Sequence, residues 1–241
     1  MAVSIDTVYQ KVLALANKEQ RGYITPQDFN LFASQAQLEI FEQYFYDLNQ
    51  ARKAQGNDTV VADIDDMLEY KMQIFEVSLS TGQTASLTSS GNGKVLPSDV
   101  YRLLFTTLLN SISNTETECE LLSVRSFLNN KKNLLTKPSE FRPIALTQGG
   151  VVTCNSGLGD KKPSTLTYIK KPLKPNWTYI VVNKRALYDP NATTQNFELH
   201  ESEEIQLVNK ILKLAGLAIQ KQDVMMAGGT MENLIDQQKK I

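Results

Sequence analysis

Few stretches of this chain set residue types at spacings that could do chemistry, and each can be tested against what that chemistry requires. Thr88-Ser-Ser-Gly-Asn-Gly-Lys-Val95 has the outline of a phosphate loop. Such a loop needs glycine at its first position, a hydroxyl after the lysine to hold magnesium, and a helix opening behind it. Thr88 and Val95 stand at those two positions and Leu96-Pro97 follows, so the segment is read as a plain loop. Asp58 to Glu69 has the length of a calcium loop with an acid at each end. Val60 and Ala62 fill ligand positions, however, and Asp63 replaces the glycine of the sharp turn. Those carboxylates are read as the N-terminal half and outer face of a helix. The single histidine, His200, sits at a helix entrance beside Glu198 and Glu201, where a capping role is expected rather than that of a general base. One histidine and two distant cysteines, Cys119 and Cys154, give neither the paired spacing nor the four ligands of a zinc site. The two cysteines could pair, but so few thiols in a chain of this size are expected to be free and buried. No catalytic, cofactor-binding or metal-binding residues are therefore assigned, and the chain is not expected to be an enzyme.

Basic residues concentrate in Lys131-Lys132, Lys161-Lys162 and Lys170-Lys171 with Lys174. Converged on one face, Lys161, Lys162, Lys170 and Lys171 could contact the phosphates of DNA, with Trp177 or Tyr179 stacking on bases. The plainer expectation is solvated loop lysines and a tryptophan that anchors a core or an interface. With 25 basic and 26 acidic residues the net charge is −1, which speaks against a dedicated nucleic-acid binder. Apolar residues make up 41% and charged residues 21% of the 241, the composition of a globular protein. No apolar run approaches the roughly 18 residues that read as a membrane span, and MAVSIDTVYQ lacks the features of a secretory signal. A cytosolic protein without a membrane partner is expected.

The elements that position these residues follow from periodicity. Ile5, Val8, Val12, Leu15 and Ala16 have helical spacing behind Ser4 or Asp6 as cap, and Gly22 ends the unit. Thr25-Pro26-Gln27-Asp28 then supplies a cap oxygen, a proline at the first helical position and a carboxylate at the third. Behind it Phe29, Phe32, Ala33, Ala36, Ile40, Phe41, Tyr44 and Phe45 form one wide apolar stripe that must be covered. A third helix is expected from about Val60 to Phe75. Near Val77 the period falls towards 2, which marks a boundary. Strands are expected at 77–81, 84–88, 120–124, 144–146, 151–154, 166–170 and 179–183, and a buried strand at 100–109, where a short helix is the alternative. Prolines divide the region into short pieces, predicting a small antiparallel sheet or barrel. After Leu199 the chain turns helical again. Ile205, Val208, Leu212, Ala215 and Ile219 form one stripe, and Leu207, Ile211, Leu214 and Ala218 a second beside it. A helix so covered either lies at the centre of its domain or also touches a neighbouring subunit. Met225-Met226 is adaptable apolar surface, divided evenly between a partner contact and its own helices. Leu207, Ile211, Leu212, Ile219, Met225 and Met226 are thus the candidate interface residues. The expected fold is α+β, with N- and C-terminal helices packed as a bundle around a central antiparallel sheet or small barrel. It divides into helices over 1–76, a β-rich part over 77–199, a final helix over 200–222, and a polar tail over 223–241 contacting neighbours.

Three stretches carry a resemblance. Gly22-Tyr-Ile-Thr-Pro-Gln-Asp-Phe-Asn-Leu-Phe32 continues through Ile40-Phe-Glu-Gln-Tyr-Phe-Tyr-Asp47, and Val95-Leu-Pro-Ser-Asp-Val-Tyr-Arg-Leu103 and Phe197-Glu-Leu-His-Glu-Ser-Glu-Glu-Ile205 follow in order. They resemble the neck and head-to-tail connector proteins of short-tailed bacteriophages, the tail tubular protein A or ring proteins, most closely those of crAss-like phages. The resemblance implies a structural virion protein assembled in the host bacterial cytoplasm. Its copies would form a homo-oligomeric ring, typically a dodecamer, between the portal protein and adjacent neck or tail rings, around a channel through which phage DNA passes. It supplies no active-site motif to carry over. Loops at 82–94, 110–118 and 147–163 and the tail would then touch adjacent rings. The alternative is a small cytosolic nucleic-acid-binding or processing protein using the lysine-rich β region.

Overall fold

The computed structural model describes residues 3–16, 24–53, 59–110, 115–183, 185–189, 193–218 and 230. In chain order these hold helices α1 (Ile5–Ala16), α2 (Pro26–Lys53) and α3 (Thr59–Met72), strand β1 (Glu76–Leu79), helix α4 (Thr81–Ser86), strands β2 (Ser89–Ser90), β3 (Gly93–Val95), β4 (Val100–Leu109), β5 (Glu116–Glu118) and β6 (Glu120–Leu122), and helix α5 (Val124–Lys132). Strands β7 (Ile144–Gln148), β8 (Val151–Asn155), β9 (Asp160–Lys161), β10 (Thr165–Lys170), β11 (Tyr179–Val182) and β12 (Arg185–Tyr188) follow, and helix α6 (Glu204–Ala218) closes the order. The fold is α+β. It divides into two units: unit 1 comprises Met1–Ile74 with Pro172–Ile241, and unit 2 comprises Phe75–Lys171.

In unit 1, α6 packs on α1 and α2, and α2 packs on α3. The start of α2 follows from its cap. The Asp28 amide donates to the Thr25 hydroxyl (3.2 Å), and that hydroxyl donates to the Asp28 carboxylate (2.6 Å), so the carboxylate closes on the cap hydroxyl. Phe29, Ala33, Ala36, Ile40, Phe41 and Tyr44 are buried as the stripe requires, with Phe32 and Phe45 half-buried. The hairpin β11–β12 belongs to this unit, although 77–199 was expected to form one β-rich part. Trp177 accounts for that. It is buried between Tyr9 (ring centroids 4.0 Å apart) and the stacked Tyr179 and Tyr188. Its indole N–H donates to Asp6 (3.0 Å) and its amide to Asn30 (2.8 Å), which holds the segment to α1 and α2.

Unit 2 contains two sheets. One is antiparallel in the order β1-β10-β4-β5, and the other runs β2-β3-β8-β7-β6, with β9 also paired to β8. Neither closes into a barrel, and β6 pairs with β7 in parallel, against the expectation of a purely antiparallel sheet. Leu108 and Leu166 from the first sheet meet Ala145, Val152 and Cys154 from the second, with Cys119, in one core. Residues 100–109 form the expected strand, though not a buried one, since Tyr101, Phe105 and Leu109 are exposed. The strand expected at 84–88 is displaced by α4, because the Gln83 side chain accepts from the Ser80 amide and closes a capping box. The segment after Leu122 is α5, capped where the Ser123 hydroxyl accepts from the Ser126 amide (3.3 Å), in a region where strands and loops were expected. Between β7 and β8 the two turn residues Gly149 and Gly150 have φ of 57° and 74°, the left-handed pair of a tight hairpin.

Candidate interaction surfaces

The segment that resembles a phosphate loop is the hairpin β2–β3. Lys94, the residue that would meet a phosphate, is buried instead. Its ammonium donates to the carbonyls of Ala85 and Leu87 (both 2.9 Å), satisfying acceptors at the C-terminal end of α4. In the segment that has calcium-loop length, Thr59 already starts α3, and Asp58 lies outside the described residues. His200 caps the short turn before α6: its Nδ1 accepts from the Ser202 amide (3.2 Å), and its ring meets Tyr70 edge-on. Among the described residues no three His, Cys, Asp or Glu side chains converge as a metal site, and no helix is long and apolar enough to cross a membrane.

Cys119 and Cys154 are free thiols in the core of unit 2. A hydrogen bond to Cys154 and burial together push the Cys119 thiol far above its ordinary pKa, so it stays protonated and unreactive. Unit 1 also holds a buried ionic group. Lys71 of α3 bonds Glu203 with side chains 13% and 3% exposed. Burial first, then the charge of the Glu203 carboxylate and a hydrogen bond toward it, raise the pKa of Tyr44 well above the tyrosine range, although the hydroxyl meets no partner in full hydrogen-bond geometry.

The candidate interface residues are corrected by this packing. Leu207 and Ile211 are fully buried and Leu212 is 7% exposed within the chain itself, so a neighbouring subunit would gain nothing from them. Gln206, Asn209 and Lys210 are buried on the same helix, which therefore lies at the centre of its unit. Ile205, expected in the stripe, is exposed. Ile219, Met225, Met226 and the tail from 223 apart from Thr230 lie outside the described residues.

The candidate DNA-facing lysines do not form one row. Lys161 lies in β9 of one sheet, where it bonds Glu140 (3.1 Å), while Lys170 ends β10 in the other sheet. Lys162 and Lys171 are exposed. Trp177 is buried, which removes it as a platform for bases. Glu39, Glu42, Gln43, Tyr46 and Lys210 line a shallow depression of about 370 Å³ in unit 1, with Lys210 3.7 Å from Glu39.

What the sequence reading missed is in unit 2. Leu134 and Leu135 are 92% and 94% exposed, Phe141 70% and Leu158 76%. They belong to adjoining loops. Gly157 (φ 83°) lies so close to the Pro138 carbonyl that a Cβ would stand 2.2 Å from its oxygen. Lys131 also bonds Asp160 (2.9 Å) across the same loops. Burial pushes the Asp160 pKa up, but hydrogen bonds from Asn155 and Lys131 outweigh it and hold the carboxyl below its usual value. The sequence signal was there: an apolar pair stranded between Lys131-Lys132-Asn133 and Thr136-Lys137-Pro138. The charge is also divided. Unit 2 carries 11 basic against 7 acidic residues, a net +4, and unit 1 carries 14 against 19, a net −5.

No family model matches the chain, and no curated protein matches it.

Proposed function

We propose that this protein is a structural subunit of a homo-oligomeric ring in the neck of a short-tailed bacteriophage. The ring joins portal to tail, lines part of the DNA channel, and works mechanically rather than by catalysis. The observation that carries the assembly reading is the set of large apolar side chains at Leu134, Leu135, Phe141 and Leu158 standing in solvent. Large apolar side chains left this exposed in adjoining loops point to contact with another macromolecule. The phage assignment is supported by the three stretches of likeness at 22–47, 95–103 and 197–205. Two of them place structural joints: 22–47 holds the cap and stripe of α2, and 197–205 enters α6. Light scattering coupled to size exclusion tests the reading. A closed particle of many 27.0 kDa chains is expected, and a monomer at every concentration overturns it.

The net +4 of unit 2, with Lys162 and Lys171 exposed, favours a second reading as a nucleic-acid-binding protein. That reading requires DNA affinity that falls steeply with salt and drops when both lysines are neutralised.

A further inference from the structure

From the opposite charge of the two units and the position of their exposed apolar residues, we infer that copies of this chain associate head to tail, the basic apolar loops of unit 2 in one copy seating on the acidic outer face of α3 in the next. The inference rests on the proposal that the chain assembles with itself and names the surfaces that do it.

Four apolar side chains in the loops each offer on the order of 150 Å² at most. A specific interface takes about 800 Å² from each partner. The four fall short, so the charged residues around them must lie inside the contact and must face opposite charge. Around Leu134 and Leu135 those residues are basic: Lys132 and Lys137, with Lys131 bonded to Asp160 of the adjoining Leu158 loop. The acid of the 133–143 loop, Glu140, is buried and bonded to Lys161. Two such loops facing each other across a two-fold axis would set like charge against like.

The outer face of α3 has the complementary character. The helix carries Asp66 and Glu69 at exposed positions, and its one lysine, Lys71, is turned inward to Glu203. Among these acids stand Met67 and Tyr70, 62% and 65% exposed, one helical turn apart. The face thus presents apolar area framed by carboxylates, the reverse of the loops. Because the two surfaces differ and lie in different units, their pairing is heterologous. Such contacts extend from copy to copy and close into a ring when the rotation permits.

Two variants with neutral replacements test this. The loop variant carries Leu134→Ser, Leu135→Ser and Phe141→Ser; the face variant carries Asp66→Asn, Met67→Ser and Glu69→Gln. All six positions are exposed, and an unchanged melting temperature and Trp177 emission show that each variant is folded. Should the loop variant fail to fold, Lys132→Gln with Lys137→Gln probes the same surface through charge alone. The readout is mass by light scattering. Wild type is expected as a large particle weakened by salt, and each variant alone as a monomer. An equimolar mixture of the two is expected as a two-chain particle, because each supplies the one intact surface the other lacks. Wild-type particles with both variants assembling normally would overturn the assigned surfaces and leave the ring standing. A face variant that still assembles, beside a monomeric loop variant, would mean loop-to-loop or other pairing and would overturn the head-to-tail contact. A monomeric wild type that binds DNA through the loops would overturn the ring proposal itself.

Discussion

The two units differ in their cores and in how far their loops leave apolar side chains in solvent. Phe29, Phe41, Trp177, Leu207 and Ile211 fill the interior of unit 1, which also buries Gln206 and the Glu203 carboxylate bonded to Lys71, while apolar residues it leaves exposed, such as Met67 and Tyr70, stand on helix faces. Unit 2 closes a smaller core around Leu108, Cys119, Ala145, Val152, Cys154 and Leu166, while Leu134, Leu135, Phe141 and Leu158 stand in water. The contrast separates apolar surface that holds a fold together from apolar surface left over for recognition. Periodicity marks the first kind, because a helix stripe has to be covered by something. No period marks the second. Each unit also carries its own probe, since Trp177 is the sole tryptophan and lies in unit 1, and both thiols lie in unit 2.

The largest expected effect tests the centre of unit 1. Leu212→Asp puts a carboxylate at a buried position and leaves a cavity beside it, a combination worth several kcal/mol. The Trp177 emission of this variant should resemble that of denatured protein. Its thiols should stay slow to alkylate, because the core around them consists of unit 2 residues alone. A folded, soluble monomer would instead return Leu212 to the interface role that its spacing suggested. Next comes Lys71→Ala, which leaves Glu203 buried without its cation. Breaking such a pair costs about 3–5 kcal/mol, to be read as a lower urea midpoint of Trp177 emission. The double variant Lys71→Ala with Glu203→Ala should recover much of the loss. A single variant with wild-type stability would show that the pair is solvated after all.

In unit 2 the comparable single change is Gly157→Ala. A side chain at φ 83° is strained, and its Cβ would collide with the Pro138 carbonyl. Strain of this kind costs about 1–3 kcal/mol. The expected outcome is faster alkylation of Cys119 and Cys154, weaker self-association through the displaced Leu158 loop, and unchanged Trp177 emission. Unchanged alkylation and association would show that the two loops do not depend on their close approach.

Much of this was legible in the residues. The caps at Ser4 and Thr25, the stripe of α2, the buried run of α6 and most strands of unit 2 each have a local cause that operates wherever the segment sits. Two kinds of feature were not legible. One is local chemistry that competes with period: Ser80 with Gln83 starts a short helix where alternation suggested a strand, and Ser123 with Ser126 starts one in a stretch read as strands and loops. The other is placement. Nothing in 172–199 signals that Trp177 packs against Tyr9 and Asn30, so the hairpin was assigned to the wrong unit. For the same reason the apolar stripes of α6 left a central and a subunit-facing helix both open, and Leu207, Ile211 and Leu212 were named as interface residues although unit 1 buries them itself. Leu134 and Leu135 have no period to mark them.

The smallest expected effect bears on how completely unit 1 satisfies what it buries. The Tyr44 hydroxyl meets no partner in full hydrogen-bond geometry, although the Glu203 carboxylate is near enough to raise its pKa by charge and by a weak hydrogen bond. Replacing the hydroxyl with hydrogen in Tyr44→Phe removes a desolvated polar group at the loss of only a weak bond, and should stabilise the protein by about 1 kcal/mol at neutral pH. The sign of the pH dependence follows. With the folded pKa raised, native protein keeps the Tyr44 proton where the unfolded chain, titrating near the usual value of about 10, has lost it. Wild-type stability contributed by this proton is complete below pH ~10 and falls as pH rises above it. The phenylalanine variant lacks that component, so its advantage in urea midpoint should widen above pH ~10. A destabilised variant whose deficit stays constant with pH would mean that the hydroxyl is bonded in solution, and that the interior of unit 1 is fully satisfied.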